Sequence, residues 1–381
     1  MTFLSAEILW RRLQERALVE GDMPLPAHAD SPWYVRAMLG IAGWIGALFL
    51  LGFVGAGFYF VMDNAAAAVT LAALCCGAAY AIFRMAPDKD VATQFALAVS
   101  MAGQGLFMIG MNEAFGTAAA SAWLACAAFE LALALLLPNF VHRVVASAAA
   151  AIALALALNR LELGMLVPAL LGAGMAMAWL EPRRWAGRGT LWRPLGYGWV
   201  LAVLVVELIE RFGWFRVFRH SYDAVWWAVP QWLLAWSGWI AAVLVGIVLV
   251  GAVAHLLRDT GVSLVSGSGL AALGAAVLVA LVSVPAPGLA TAMLILLLGF
   301  ACGNRVLMGL GICALLGFLS HFYYALNVTL LVKSGILAAS GVMLLGARSL
   351  ANNISPHDSG AEAAADAAAS IDFGNAEGSH A

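Results

Sequence analysis

Long apolar runs, broken by single charges, prolines or asparagines, fill the chain between residues 37 and 347. Runs of about 17–25 apolar residues match the thickness of a bilayer's hydrocarbon. Twelve spans are predicted, at 37–62, 64–83, 91–111, 114–137, 140–158, 163–180, 195–212, 233–257, 263–283, 287–303, 305–322 and 328–347. The runs are continuous rather than alternating. Backbone groups in hydrocarbon must be satisfied within their own segment or in a closed barrel, so these runs predict helices. The expected fold is an all-α, polytopic transmembrane helical bundle. Links as short as Asp63-Asn64 and Asn112-Glu113 make neighbouring helices antiparallel hairpins.

Three segments fall outside this pattern. In SAEILWRRLQERALVE, residues 5–20, Leu9, Trp10, Leu13 and Ala17 share one face, with Arg11, Arg12, Glu15 and Arg16 opposite. This predicts a short amphipathic helix in a cytoplasmic segment, 1–36, lying on the membrane or docking on the bundle. Residues 213–232 form a Trp-rich outer loop with Trp214, Trp226, Trp227 and Trp232, suited to the headgroup region or to a lid. Residues 349–381 predict a disordered acidic cytoplasmic tail, without Lys or Arg. The first apolar run begins only near Ala37, so no secretory signal peptide is expected.

Composition supports the membrane assignment. The 381 residues are 64% hydrophobic and 10% charged, with a mean hydropathy of +0.94, whereas soluble domains carry about 25% charge. Fourteen of the nineteen Lys and Arg residues fall on one side if alternate links are assigned to alternate faces. The positive-inside rule makes that side cytoplasmic, giving both termini inside. No basic cluster suggests nucleic acid. Cys75, Cys76, Cys126, Cys302 and Cys313 all sit in apolar runs, with no metal-ligand spacing and no disulfide framework.

The candidate chemistry is six polar residues in or near the spans: Lys333, Glu207, Tyr324, His321, Gln104 and Glu130. A charge at a helix centre costs roughly 2.5–3.5 kcal/mol on insertion scales. Lys333 lies four or five residues from the outer end of the last span, roughly 6–8 Å deep at 1.5 Å per residue. It either snorkels to water or pairs with Glu207, at matching depth in the seventh span, for which Arg211 competes. Glu130 is expected to contact His142 or Arg143 on the next helix, or to serve as a protonatable group in a path. Gln104, between Gly103 and Gly105, suits an interhelical hydrogen bond. His321, Tyr323, Tyr324 and Asn327 form a polar aromatic cuff outside Lys333. Gly299-x-x-x-Gly303, and Gly267, Gly269 and Gly274, are expected close-packing faces. No HExxH, GxSxG or P-loop pattern occurs, so no enzyme activity, cofactor or metal is expected.

LWRRLQERALVEGDMPLPAHADSPWYVRAMLGIAGWIGALFLLGFVG, Leu9 to Gly55, and FYYALNVTLLVKSGILAASGVMLLGAR, Phe322 to Arg348, together resemble the bacterial membrane proteins grouped as domain of unknown function 4401. The paired tyrosines followed by TLLVKSG are the more specific part. The resemblance implies a multi-pass protein without an established activity, associated with a small membrane-anchored protein of the GDYXXLXY family. It also places Lys333 and Tyr324 in a family pattern. The two functional expectations are a non-enzymatic membrane scaffold or envelope protein working with that partner, and a transporter or channel for a small solute with a site in the outer half of the bundle. A cavity lined by Glu207, Lys333 and Gln104 favours transport; a solid core with a groove near 213–232 favours a scaffold.

Overall fold

The computed structural model describes residues 6–16, 19–21, isolated positions between 35 and 57, and 63–86, 89–116, 119–181, 186–211, 236–284 and 286–325. The predicted first and last spans, the loop 213–232, the tail and Lys333 lie wholly or mostly outside these residues. Among the described residues the chain is helical, with no strand.

The helices begin where the sequence offers a cap. After α1 (Ala6–Glu15), which is shorter than the amphipathic pattern predicts, comes α2 (Ala65–Met85). Asn64 caps α2, its side chain accepting from the Ala67 N–H at 3.0 Å. Next come α3 (Asp90–Phe115), α4 (Ala120–Leu136) and α5 (Phe140–Arg160). Asn139 caps α5 through the His142 N–H. A 3-10 turn leads into α6 (Val167–Leu180), with Pro168 in its first turn. A second one leads into α7 (Gly189–Arg211). Then follow α8 (Ser237–Asp259), α9 (Gly267–Ser283), capped by Ser266, α10 (Leu289–Ala301) and α11 (Arg305–Ala325). Among the described residues six helices, within α2, α3, α5, α7, α8 and α11, are long and apolar enough to cross a membrane, and four apolar helices are shorter.

Several boundaries differ from the sequence pattern: α9 starts at Gly267 rather than at 263, and two others have an evident cause. The break expected at Asn112-Glu113 lies at Gly116, whose φ of 80° turns the chain while its N–H still bonds the Asn112 carbonyl. α7 starts before Pro194 rather than after it. A proline there leaves the Thr190 carbonyl without its helical donor, and Arg143 Nη1 on α5 supplies one at 3.1 Å.

Adjacent helices pair as hairpins, α2 with α3, α4 with α5, α8 with α9 and α10 with α11, while α5 also packs along α7. One apolar core joins α5, α6, α7, α8 and α10 around Met175, Val203, Leu249, Leu294 and Leu298. A second joins α2 to α5 and the start of α7 around Phe83, Leu97, Leu133 and Leu195. The α5–α7 pair belongs to both.

The glycine faces are only partly as expected. Gly299 abuts the backbone of α11, where an added Cβ would meet Met308 N at 2.6 Å; Gly311 faces Leu296 N in the same way at 2.7 Å. Gly303 is instead a turn residue, with φ of 61°. On α9 only Gly269 is crowded, by the Ser263 carbonyl of its own approach loop, and nothing lies within 4 Å of Gly267 or Gly274.

Candidate functional site

Glu207 is 6% exposed near the end of α7. Thr291 Oγ1, in the first turn of α10, donates to its Oε1 at 2.8 Å. The two line a cavity of about 550 Å³ together with Glu210, Ser283, Trp239 and His321. Glu210 falls there because it follows Glu207 by three residues on one helix face. The wall is built from the starts of α6, α8 and α10 and the ends of α7, α9 and α11. Six successive helices therefore alternate in direction, and one end of each meets at this cavity.

The opposite ends of α6, α7, α8, α10 and α11 line a second cavity of about 730 Å³. Arg193, Asp259, Asn304 and Arg305 line it, with Trp179 and Cys302. Asn304 Nδ2 donates to Tyr197 Oη at 2.7 Å, and Trp179 packs edge-on against that tyrosine. Between Tyr197 and Glu207, ten residues apart on α7, lies about 15 Å of helix. Val200, Val203, Leu294, Ile295 and Leu298 fill that interval and are at most 1% exposed. Two vestibules with polar groups in their walls thus face away from each other across a closely packed apolar plug.

Gln104 and Glu130 belong elsewhere. Ser100 Oγ lies 2.8 Å and Gln104 Nε2 3.1 Å from His142 Nε2, linking α3 to α5. The other ring nitrogen of His142, Nδ1, is buried without a hydrogen-bond partner. Glu130, 7% exposed on α4, is hydrogen-bonded neither to His142 nor to Arg143, and its Oε2 has no partner. It lines a third cavity, of about 500 Å³, with Gln104, Trp123 and Cys126.

Of the six sequence candidates, then, Glu207 and His321 share one cavity, and Gln104 and Glu130 share another. Tyr324 is 79% exposed at the end of α11 and lines neither; Lys333 lies outside the described residues. Sequence reading missed Ser100 and Thr291. The available signal was a lone hydroxyl deep in an apolar run: Ser100 four residues before Gln104, and Thr291 in LATAML. The five cysteines are free thiols, and no cluster able to hold a metal ion occurs among the described residues.

Residues 32–353 match the family described as domain of unknown function 4401. The chain belongs to that family. No curated protein and no solved structure matches it. Membership agrees with the multi-pass helical architecture and assigns no activity.

Proposed function

We propose that this family member moves a small polar cation across the membrane through the body formed by α6 to α11. The observation carrying this reading is the buried Glu207 carboxylate, held by Thr291 in one of two opposed vestibules. A carboxylate inside hydrocarbon is costly unless a charge or hydrogen bonds offset it, and such groups mark ion and solute paths. Glu210 adds a second acid to the same wall. The plug gives a closed state in which neither vestibule reaches the other. Lys333, at matching depth in the sequence, is the proposed resident counter-ion that the solute replaces. The proposal includes twelve spans with both termini in the cytoplasm, which the Lys and Arg bias supports, and a bacterial inner membrane, on the family resemblance. A small membrane-anchored partner of the GDYXXLXY family completes it, on the family resemblance alone.

Solid-supported-membrane currents from proteoliposomes test transport, with ammonium, guanidinium, choline and potassium as the panel. Wild type is expected to give a saturable current with at least one cation, and Glu207→Gln to lose at least tenfold of it. Equal currents from both proteins, or none from wild type across the panel, would contradict the reading.

A further inference from the structure

We infer that the third cavity, beside Glu130, is a binding site for a single-chain lipophilic amine, separate from the Glu207 path and not dependent on it. Trp123, Cys126 and Glu130 line it from α4 at spacings i, i+3 and i+7, one face of that helix. Met101, Gln104 and Met108 repeat those spacings on α3. Seven residues of helix are about 10 Å, so the cavity is an elongated trough along the helices. Its walls are apolar, with Phe107, Ile152 and Leu156 among them.

Polar groups are few and placed apart. Glu130 Oε2 and Trp123 Nε1 are both buried without a hydrogen-bond partner. Gln104 is tied to His142 and so is committed to the fold. A buried carboxyl oxygen left unsatisfied is expensive, and the trough of about 500 Å³ leaves apolar surface that an alkyl chain would cover. One ligand class relieves both: an ammonium head to bond Glu130 and an alkyl chain to fill the trough. A carboxylate ligand has no cation to offer Glu130. An alcohol would gain the chain contacts without the charge-assisted bond. Leu48 and Met108 both line the cavity and are 62% and 42% exposed, so it opens to the surface. A ligand already dissolved in the bilayer therefore has a route from the lipid side.

The test uses the full chain in maltoside detergent and measures 1:1 adducts with decylamine, decanol and decanoate by native mass spectrometry. Decylamine is expected to bind at least about tenfold more tightly than decanol, a difference of about 1.4 kcal/mol, and decanoate not to bind. Glu130→Gln is expected to remove that preference. Ala149→Phe, which fills the trough and keeps the carboxyl, is expected to lose decylamine. If Glu130→Gln does not fold, the wild-type preference and Ala149→Phe carry the test. Equal binding of decanol and decylamine would make the trough a groove for lipid tails and overturn the inference. Unchanged decylamine binding by either variant would overturn it as well.

Discussion

Gly198→Val is expected to remove most folded protein from the membrane. Gly198 sits on α7 where that helix touches α5. A Cβ there would meet the Val144 carbonyl at 2.5 Å and the Ala148 nitrogen at 2.9 Å, and it would collide with Ser147 Oγ. Two of these three are backbone atoms inside a helix, so no side-chain rotation relieves them. Overpacking typically costs 1–3 kcal/mol, and a collision with helix backbone puts this case at about 3 kcal/mol or more. The α5–α7 pair also contributes to both apolar cores, so separating it loosens each of them. Gly274→Val is the control, because nothing lies within 4 Å of Gly274. Size-exclusion profiles of the detergent-extracted protein should show a loss of the monodisperse peak for Gly198→Val and a normal peak for Gly274→Val. Matching profiles would mean that the α5–α7 contact is not as close as described.

The second large effect is expected at Glu207 and Lys333. Glu207 is buried in its cavity, and the sequence puts Lys333 at a matching depth in the last span. Breaking a buried ion pair leaves one charge uncompensated and costs about 3–5 kcal/mol. Glu207→Lys and Lys333→Glu alone are each expected to lose most folded protein, and the double swap to recover much of it. The Thr291 hydroxyl both donates and accepts, so it tolerates the exchange. Normal accumulation of both single variants would rule the pair out and make Lys333 a snorkelling residue. Loss in all three would mean that the two charges do not compensate each other and would count against the pair.

Helix positions were legible in the sequence for a plain reason. Span boundaries carry caps, and Asn64 and Asn139 bond the first turns they precede; Ser266 caps α9 three residues after the expected start. Where the boundary depends on a backbone angle or on a distant partner, the pattern fails. The α3 end is set by Gly116, and the early start of α7 is supported by Arg143 from another hairpin. The candidate site follows the same division. Glu207, Gln104 and Glu130 stand out because a polar residue in an apolar run is conspicuous. Their surroundings do not, because Thr291 is 84 positions from Glu207 and His142 is 38 from Gln104. Only the packing of α5, α7 and α10 brings them together. The opposed vestibules likewise follow from the alternation of six helices, which hydropathy alone does not align.

Two-sided thiol labelling tests that arrangement most directly. Cys302 lines the Asn304 vestibule and Pro287 the Glu207 vestibule, while Leu294 is fully buried between them. With the other four cysteines replaced by alanine, Cys302 is expected to react with a membrane-impermeant maleimide only from the cytoplasmic side. In a background lacking all five, Pro287→Cys is expected to react only from the outside and Leu294→Cys from neither. Labelling of Cys302 and Pro287→Cys from the same side, or of Leu294→Cys as fast as either, would contradict two vestibules closed by an apolar plug.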